Sequence, residues 1–485
     1  VALLMAVLAQ PALGAAVPPL PIPEGPEASE PPAFVGAPAQ VRPKVLPLAP
    51  RHPFMARNGR SNIHNDAYMS GAYKFPGPLG RDMERTSTFH AAECASVTFD
   101  AAGRILSICV GLERPRLVMF DARTLDKLAE FPLPPRVPTG GNPFNDFSGG
   151  GYFYLDNLDR AVIPTSHRHI WVVGETSGPL GPGFSLERDY DVSGVTAADD
   201  KLLSVLPDWS GRLWFASQQG VVGTIDPATG NVFTYNTGET ITNSFAVDES
   251  GGVYIVTDAA LYRFDASPDG EPMISWREVY PNSGIHKPGQ SGPGSGTTPD
   301  VMGSDYVAIA DNADPMQVVV YKRGKDVSGS RLVCAQPVFA AGAGATDNSL
   351  ITAGRSIIVE NNYGYSGLTA TMDGKSTGPG FERVDINADG SGCSTVWRND
   401  ERAPSVVPKV SLANGLVYAY TKPPLASTTD AWYFTAIDYR TGRTVYKRLA
   451  GTGLGFNNNW APVTLAPDGT AYVGTLGGLV LLRDG

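Results

Sequence analysis

A chain of 485 residues with 55 glycines, 41 prolines and 18% charged residues is punctuated like a protein of many short strands joined by tight turns. Lys and Arg total 38 against 48 Asp and Glu, a formal net charge of −10. With no basic run anywhere, this balance argues against a nucleic-acid partner, and no stretch, the apolar first ten residues included, is long enough to cross a membrane.

Residues 1–10 are apolar and are followed by the small residues Pro11-Ala12-Leu13-Gly14-Ala15-Ala16, which reads as a signal peptide over 1–16 lacking its initiator Met and basic start. A buried apolar arm is the alternative. Export implies a secreted or periplasmic protein. Through 17–50 prolines recur without pattern, which predicts a Pro-rich disordered or extended leader; residues 51–485 form the structured domain.

Cys94 and Cys109 flank a hairpin that turns at 100–103. Pairing Phe99 with Arg104 across that turn carries Cys94 opposite Cys109, so a disulfide is expected inside the hairpin. Cys334 and Cys393 fall in outer strands of consecutive repeat units and would bridge neighbours. An oxidising compartment favours both bridges, with four buried free thiols as the alternative.

The strongest signal is internal repetition with a period near that of propeller blades. Its clearest copy has strands at 202–206, 213–216, 221–225 and 231–235, with the turn Asp226-Pro227-Ala228-Thr229-Gly230 before the last; 432–446 and 117–127 repeat it. In such a turn Gly accepts a positive φ while Asp or Thr caps free backbone groups. Units fall at 91–135, 145–192, 200–238, 241–280, 297–340, 345–398, 402–449 and 458–485. The last has three strands only, so closure requires a strand from about 45–90. The expected fold is therefore all-β: a single β-propeller of eight blades, each of four antiparallel strands, closed by an N-terminal strand. Stretched second and sixth units leave seven blades as the alternative.

The Asp-x-x-Thr-Gly turn followed by an aromatic strand, at 226–235 and 438–446, resembles the quinoprotein-like (PQQ-like) repeat over residues 50–485. Residues 54–66 resemble the segment that precedes the first blade in that superfamily. The resemblance implies an eight-bladed ring in a group that holds both quinone-dependent dehydrogenases and non-catalytic envelope propellers. Tyr235 and Tyr446 stand where the family usually has Trp, and its adjacent-cysteine pair is absent, so the chain resembles the non-catalytic members more and PQQ is not the expected cofactor.

Loops between second and third strands, and connections between blades, gather on one face of a propeller. There the sequence places Asn145, Asp146, Asn457, Asn458 and Trp460 as candidate ligand-binding residues. Asp311, Asn312, Glu360 and Asn361 are the candidate oxygen ligands for Ca²⁺, with turn capping as the alternative; in residue type they resemble the ligand set of calcium-dependent propeller lactonases. Residues 385–390 match the start of a calcium loop, but Val396 stands where its closing Glu belongs, which favours a plain turn. His64, Asp66 and His167 are the candidate acid–base groups. The expectation is a monomeric binding or scaffold module taking a small molecule or a protein on the channel face. The alternative is an enzyme at the channel mouth: a calcium-assisted lactonase or hydrolase, a lyase, or a quinone-dependent oxidoreductase.

Overall fold

A computed structural model describes residues 19–25, 30–111, 114–136, 146, 148–179 and 181–485; the expected signal peptide and Asn145 lie outside them. The first four blades share an aspartate at the end of the inner strand. Asp100, Asp156, Asp208 and Asp248 each accept a hydrogen bond from the backbone N–H four residues on, at 2.8–3.1 Å, which locks the first turn of blades 1 to 4. The outer turn works similarly. Asp226 and Asp438 accept the N–H groups two and three residues later, and Gly230 and Gly442 take φ of 77° and 71°, values open to glycine at no steric cost.

Eight sheets result, each with four antiparallel blade strands, so the ring has eight blades; in blade 7 Ala72–Tyr73 adds a parallel strand at the inner edge. Blade 1 comprises Ala92–Phe99, Ile105–Gly111, Pro115–Phe120 and Lys127–Pro132. Blades 2 to 6 occupy 154–191, 202–236, 246–279, 300–337 and 351–399, and blade 7 occupies 409–452. Blade 8 takes Val463–Leu465, Ala471–Thr475 and Gly478–Arg483 from the C-terminus, and its outermost strand, Glu84–Phe89, from the N-terminal part. That is the closing strand the short last unit required. Joining both ends of the domain in one sheet leaves no open seam in the ring.

Each blade sheet packs its apolar side chains between its neighbours; Trp214, Tyr254, Tyr418 and Trp432 are among the large rings buried there. Among the described residues no helix is long and apolar enough to cross a membrane.

Both disulfides are formed, Cys94–Cys109 within blade 1 and Cys334–Cys393 between the outer strands of blades 5 and 6. The register near the first differs from the sequence expectation. Phe99 pairs with Ile105 rather than Arg104, and a bulge between Cys94 and Ser96 restores Cys94 opposite Cys109, because a bulge inserts one unpaired residue into one strand.

The proline-rich stretch is not disordered where it is described over 30–50. Phe34–Gly36 adds a fifth strand outside blade 7, pairing with Arg448 to Tyr446, and Phe34 stacks on Tyr446 at 5.6 Å. Proline removes a donor only at its own position, so the non-proline N–H groups between still bind the ring: Ala39 to Leu79 O at 2.6 Å, Arg42 to Asn414 O at 2.9 Å and Lys44 to Leu412 O at 2.8 Å.

By the chain-entropy relation for a cross-link, bridges closing 15 and 59 residues contribute about 3 and about 4 kcal/mol. Urea unfolding of Cys94→Ser/Cys109→Ser and Cys334→Ser/Cys393→Ser is expected to show losses in that order; equal stability of the second variant and the parent would contradict it.

Candidate functional site

In a propeller the first strand of every blade lines the central channel, and its inner edge carries backbone groups that need partners. Here one segment supplies them for six of the eight blades. Residues 61–73 are buried without interruption and circle the channel in blade order. Arg60 O accepts from Phe99 N of blade 1 at 3.2 Å, Ser61 O from Leu155 N of blade 2 at 2.7 Å, Ala67 O from Val247 N of blade 4 at 3.0 Å and Tyr68 O from Val301 N of blade 5 at 2.9 Å. Ser70 O then accepts from Thr352 N of blade 6 at 2.8 Å, and Gly71 O and Tyr73 O accept from Val410 and Leu412 of blade 7 at 3.0 and 2.8 Å. These contacts lie toward the ends of the inner strands. The plug therefore closes the channel on the face of the first-to-second-strand hairpins.

The plug carries two of the candidate acid–base residues into the core. Asp66 accepts from Ser70 Oγ at 2.6 Å and Ser70 N at 3.1 Å; burial raises its carboxyl to about 6, those bonds opposing the rise. His64 stacks against Tyr152 at 6.1 Å, and burial, with Lys409 adding to it, holds its imidazole well below its ordinary value. His167 stands apart, exposed in the blade 2 loop. His64 and Asp66 are thus one buried feature, to which His167 does not belong.

Around the plug sit Lys409, Asp300 and Glu360, all almost wholly buried. Burial lowers Lys409 to about 7 while Asp300, Asp66 and Glu360 pull it back up; burial raises Asp300 well above the usual range and Glu360 to about 8. Lys409 Nζ and both Asp300 oxygens lack a hydrogen-bond partner among the described residues. A lysine and a carboxyl in so dry a place favour a net-neutral pair, since isolated charges there are costly.

On the loop side of the plug lies a cavity of about 40 Å³, lined by His64, Glu93, Ser96, Tyr152, Asp347 and Trp460 among others. Its roof is a bonded cluster. Tyr365 OH donates to Asn457 Oδ1 at 3.2 Å and to Asn459 Oδ1 at 3.0 Å, Asn459 Nδ2 donates to Glu93 at 3.0 Å, and Trp460 meets Tyr365 edge-on at 5.2 Å. Burial raises Glu93 to about 8 and Asp347 to about 7.

The remaining predicted site residues are placed as follows. Asn457 and Trp460 belong to the roof, and Asn458 beside them donates to Ala461 O at 3.0 Å. Asp146 lies apart, paired with Lys201 at 2.8 Å and Arg136 at 3.5 Å. Asp311 accepts from Ala313 N, Gln317 N and Gln317 Nε2 within its own loop. Asn312 donates to Asn282, Ile285 and Pro293. Glu360 accepts from Asn348 and Asn362, whereas Asn361 donates to Ala343 O and Pro379 O. The four proposed calcium ligands thus serve separate loop bonds, and among the described residues no group of three or more His, Cys, Asp or Glu side chains is disposed to hold a metal ion. Residues 387–392 form the turn between the third and fourth strands of blade 6, with Asp389 capping Ser391.

Sequence reading passed over Lys409, Glu93 and Tyr365. Lys409 carried a signal: it is the one charge in the apolar run 406–412. Glu93 and Tyr365 carried none, since their meeting depends on the ring bringing blades 1, 6 and 8 together.

No protein-family model matches the chain. An uncharacterised protein of Archaeoglobus fulgidus is 27% identical over 368 residues, covering 69% of this chain and 70% of that protein. BamB from Moraxella catarrhalis aligns over 78% of this chain and 93% of its own at 12% identity, TM-score 0.46. A streptogramin B lyase structure aligns over 83% and 97% at 10% identity, TM-score 0.41. Both neighbours are β-propellers, and likeness this distant carries nothing about function.

The buried carboxyls set a pH dependence. A carboxyl easier to protonate when folded contributes stability that is complete below its unfolded value, about 4, and is lost as pH rises through its folded value. Those folded values are about 6 for Asp66, about 7 for Asp347 and about 8 for Glu93 and Glu360. Lys409 acts oppositely: its contribution is present above 10.5 and lost as pH falls through about 7. Stability is therefore expected to fall from about pH 5 to about pH 8, each ionising carboxyl contributing up to about 1.4 kcal/mol per pH unit. Urea midpoints across that range test this. Glu93→Gln and Glu360→Gln should each flatten the slope, and a flat parent profile would refute the assignment.

Proposed function

We propose that the chain is an exported binding or scaffold propeller that takes a protein partner or small ligand on the loop-rich end of its channel, as a monomer. One observation carries this reading: residues 61–73 close the hairpin end, while at the loop end Glu93, Tyr365, Asn457, Asn459 and Trp460, drawn from three blades, form a single bonded roof. Loops held on a rigid ring are a usual place for recognition. Around that roof the connections between blades expose Val195, Ile285 and Leu454, apolar groups that a partner would cover. The two disulfides favour an oxidising compartment, in keeping with export. Membership of the quinoprotein-like superfamily, nearer its non-catalytic members, is part of the same proposal and rests on the Asp226 and Asp438 turns.

The test is retention of partners from the extracytoplasmic fraction on immobilised protein. Ile285→Asp and Leu454→Asp are expected to weaken retention at least about tenfold, the scale of a central contact residue. Met273→Asp, exposed on an outer strand, should leave it unchanged. Equal retention by all three variants would remove the loop face from consideration.

A further inference from the structure

The roof over the small loop-end cavity is held in an unfavourable backbone conformation. Asn459 and Trp460 take φ of 33° and 73°, a region that bulky side chains rarely adopt, and such outliers gather where a side chain has a functional position. The Trp460 ring thereby stands in the wall of the cavity, while Asn459 Nδ2 donates to Glu93 Oε2 at 3.0 Å. The other oxygen of Glu93, Oε1, makes no hydrogen bond among the described residues, and it is not sealed from solvent as Asp347 Oδ1 in the same wall is. Glu93 keeps open surface, as do Ala95, Gly151 and Tyr152 beside it in the lining. The cavity therefore opens at the junction of blades 1 and 2, with a carboxyl oxygen at its mouth.

The lining favours a cation that carries hydrogen-bond donors. No Lys or Arg contributes to it, and burial holds the His64 imidazole uncharged. Arg136, the cation that acts on Glu93, is paired with Asp146 at 3.5 Å. Tyr152 OH gives its proton to Asn243 Oδ1 at 3.3 Å, so its oxygen is left to accept. Asp347 adds a second carboxyl to the wall, acting through charge rather than contact. At about 40 Å³ the cavity has room for only a few heavy atoms, so the groups lining it face one another at close range. A divalent metal requires several converging oxygen ligands, and among the described residues no such group of side chains is present. A primary ammonium has donors only, and it gains from an aromatic wall.

We propose that this cavity takes the tip of a primary alkylammonium, presented by a lysine side chain of a partner or by a small free amine, its N–H groups donating to Glu93 Oε1 and its methylene stem lying against Trp460 and Tyr152. The assignment rests on the loop-end reading of the channel and names the chemistry selected there. A quaternary ammonium has no N–H to give Glu93 and is too bulky for the space.

Calorimetric titration of the full chain with n-butylammonium, Nα-acetyl-lysine amide and tetramethylammonium tests the assignment. Butylammonium should bind saturably at millimolar concentration or below, and tetramethylammonium should not bind. Glu93→Gln keeps an acceptor for Asn459 and removes the charge; it should weaken butylammonium at least about tenfold at an unchanged melting temperature at pH 6. Burial raises Glu93 to about 8 and Asp347 to about 7, while His64 stays uncharged and Arg136 stays charged across that range. Both carboxyls thus ionise as pH rises, and affinity should increase at least about tenfold from pH 6 to pH 8, with a smaller increase in Glu93→Gln. Binding of the lysine amide assigns the site to a partner's lysine, and binding of butylammonium alone assigns it to a free amine. Absence of saturable butylammonium binding, indifference to Glu93→Gln, or equal binding of tetramethylammonium would each overturn the proposal. Partner retention that still depends on Ile285 and Leu454 would then leave the loop-end reading standing, whereas amine binding without that dependence would remove the loop-end reading and keep the cavity.

Discussion

Eight sheets arranged radially present eight inner edges to one axis, and a sheet edge is a row of unpaired N–H and C=O groups. In this chain a peptide serves them at the hairpin end. Residues 60–73 run around the axis in the same sense as the blades and offer carbonyls to six of them in turn. The direction is not incidental: the same chain then goes on to become the outer strand of blade 8 at Glu84–Phe89, so plug and closure are consecutive parts of one path. Loss of either would loosen the other.

Filling the axis with peptide brings polar side chains into the driest part of the molecule. Some are satisfied in place: Asn62 caps His64 N at 3.0 Å, and Tyr68 and Arg323 link the plug to Asp248 and Glu249 of blade 4. Others have no hydrogen-bond partner among the described residues, as with Lys409 Nζ and both Asp300 oxygens, which face each other through charge. Such groups are a poor source of stability. They place the chain's strongest electrostatic perturbations along the axis, beneath the small cavity under the loops.

The N-terminal stretch shows why composition misleads here. Its prolines and sparse apolar residues describe a chain with too little to bury on its own, which is why a disordered leader was expected. Against a preformed ring the requirement is lower: Phe34 needs only the Tyr446 face, and Ala39, Arg42 and Lys44 need only carbonyls already fixed in place. The hairpin at Cys94 and Cys109 shows the reverse case. Its pairing was legible although the turn register was off by one, because a bulge beside Ala95 absorbed the difference.

What the amino-acid order determined by itself was local and repeated. Asp, Thr and Gly at set distances made the turns of several blades, the period counted eight blades, the short last unit called for an N-terminal strand, and the cysteines fell where strands would bring them together. These features depend on contacts a few residues apart or on one shared period, so they survive without knowledge of the ring. Only the tertiary structure decided what meets on the axis. Glu93, Tyr365 and Asn459 are more than 90 residues apart and touch because the ring closes. Asp311, Asn312, Glu360 and Asn361 share a face in the sequence pattern yet serve separate loop bonds, because each polar side chain is first claimed by the unpaired backbone nearest to it.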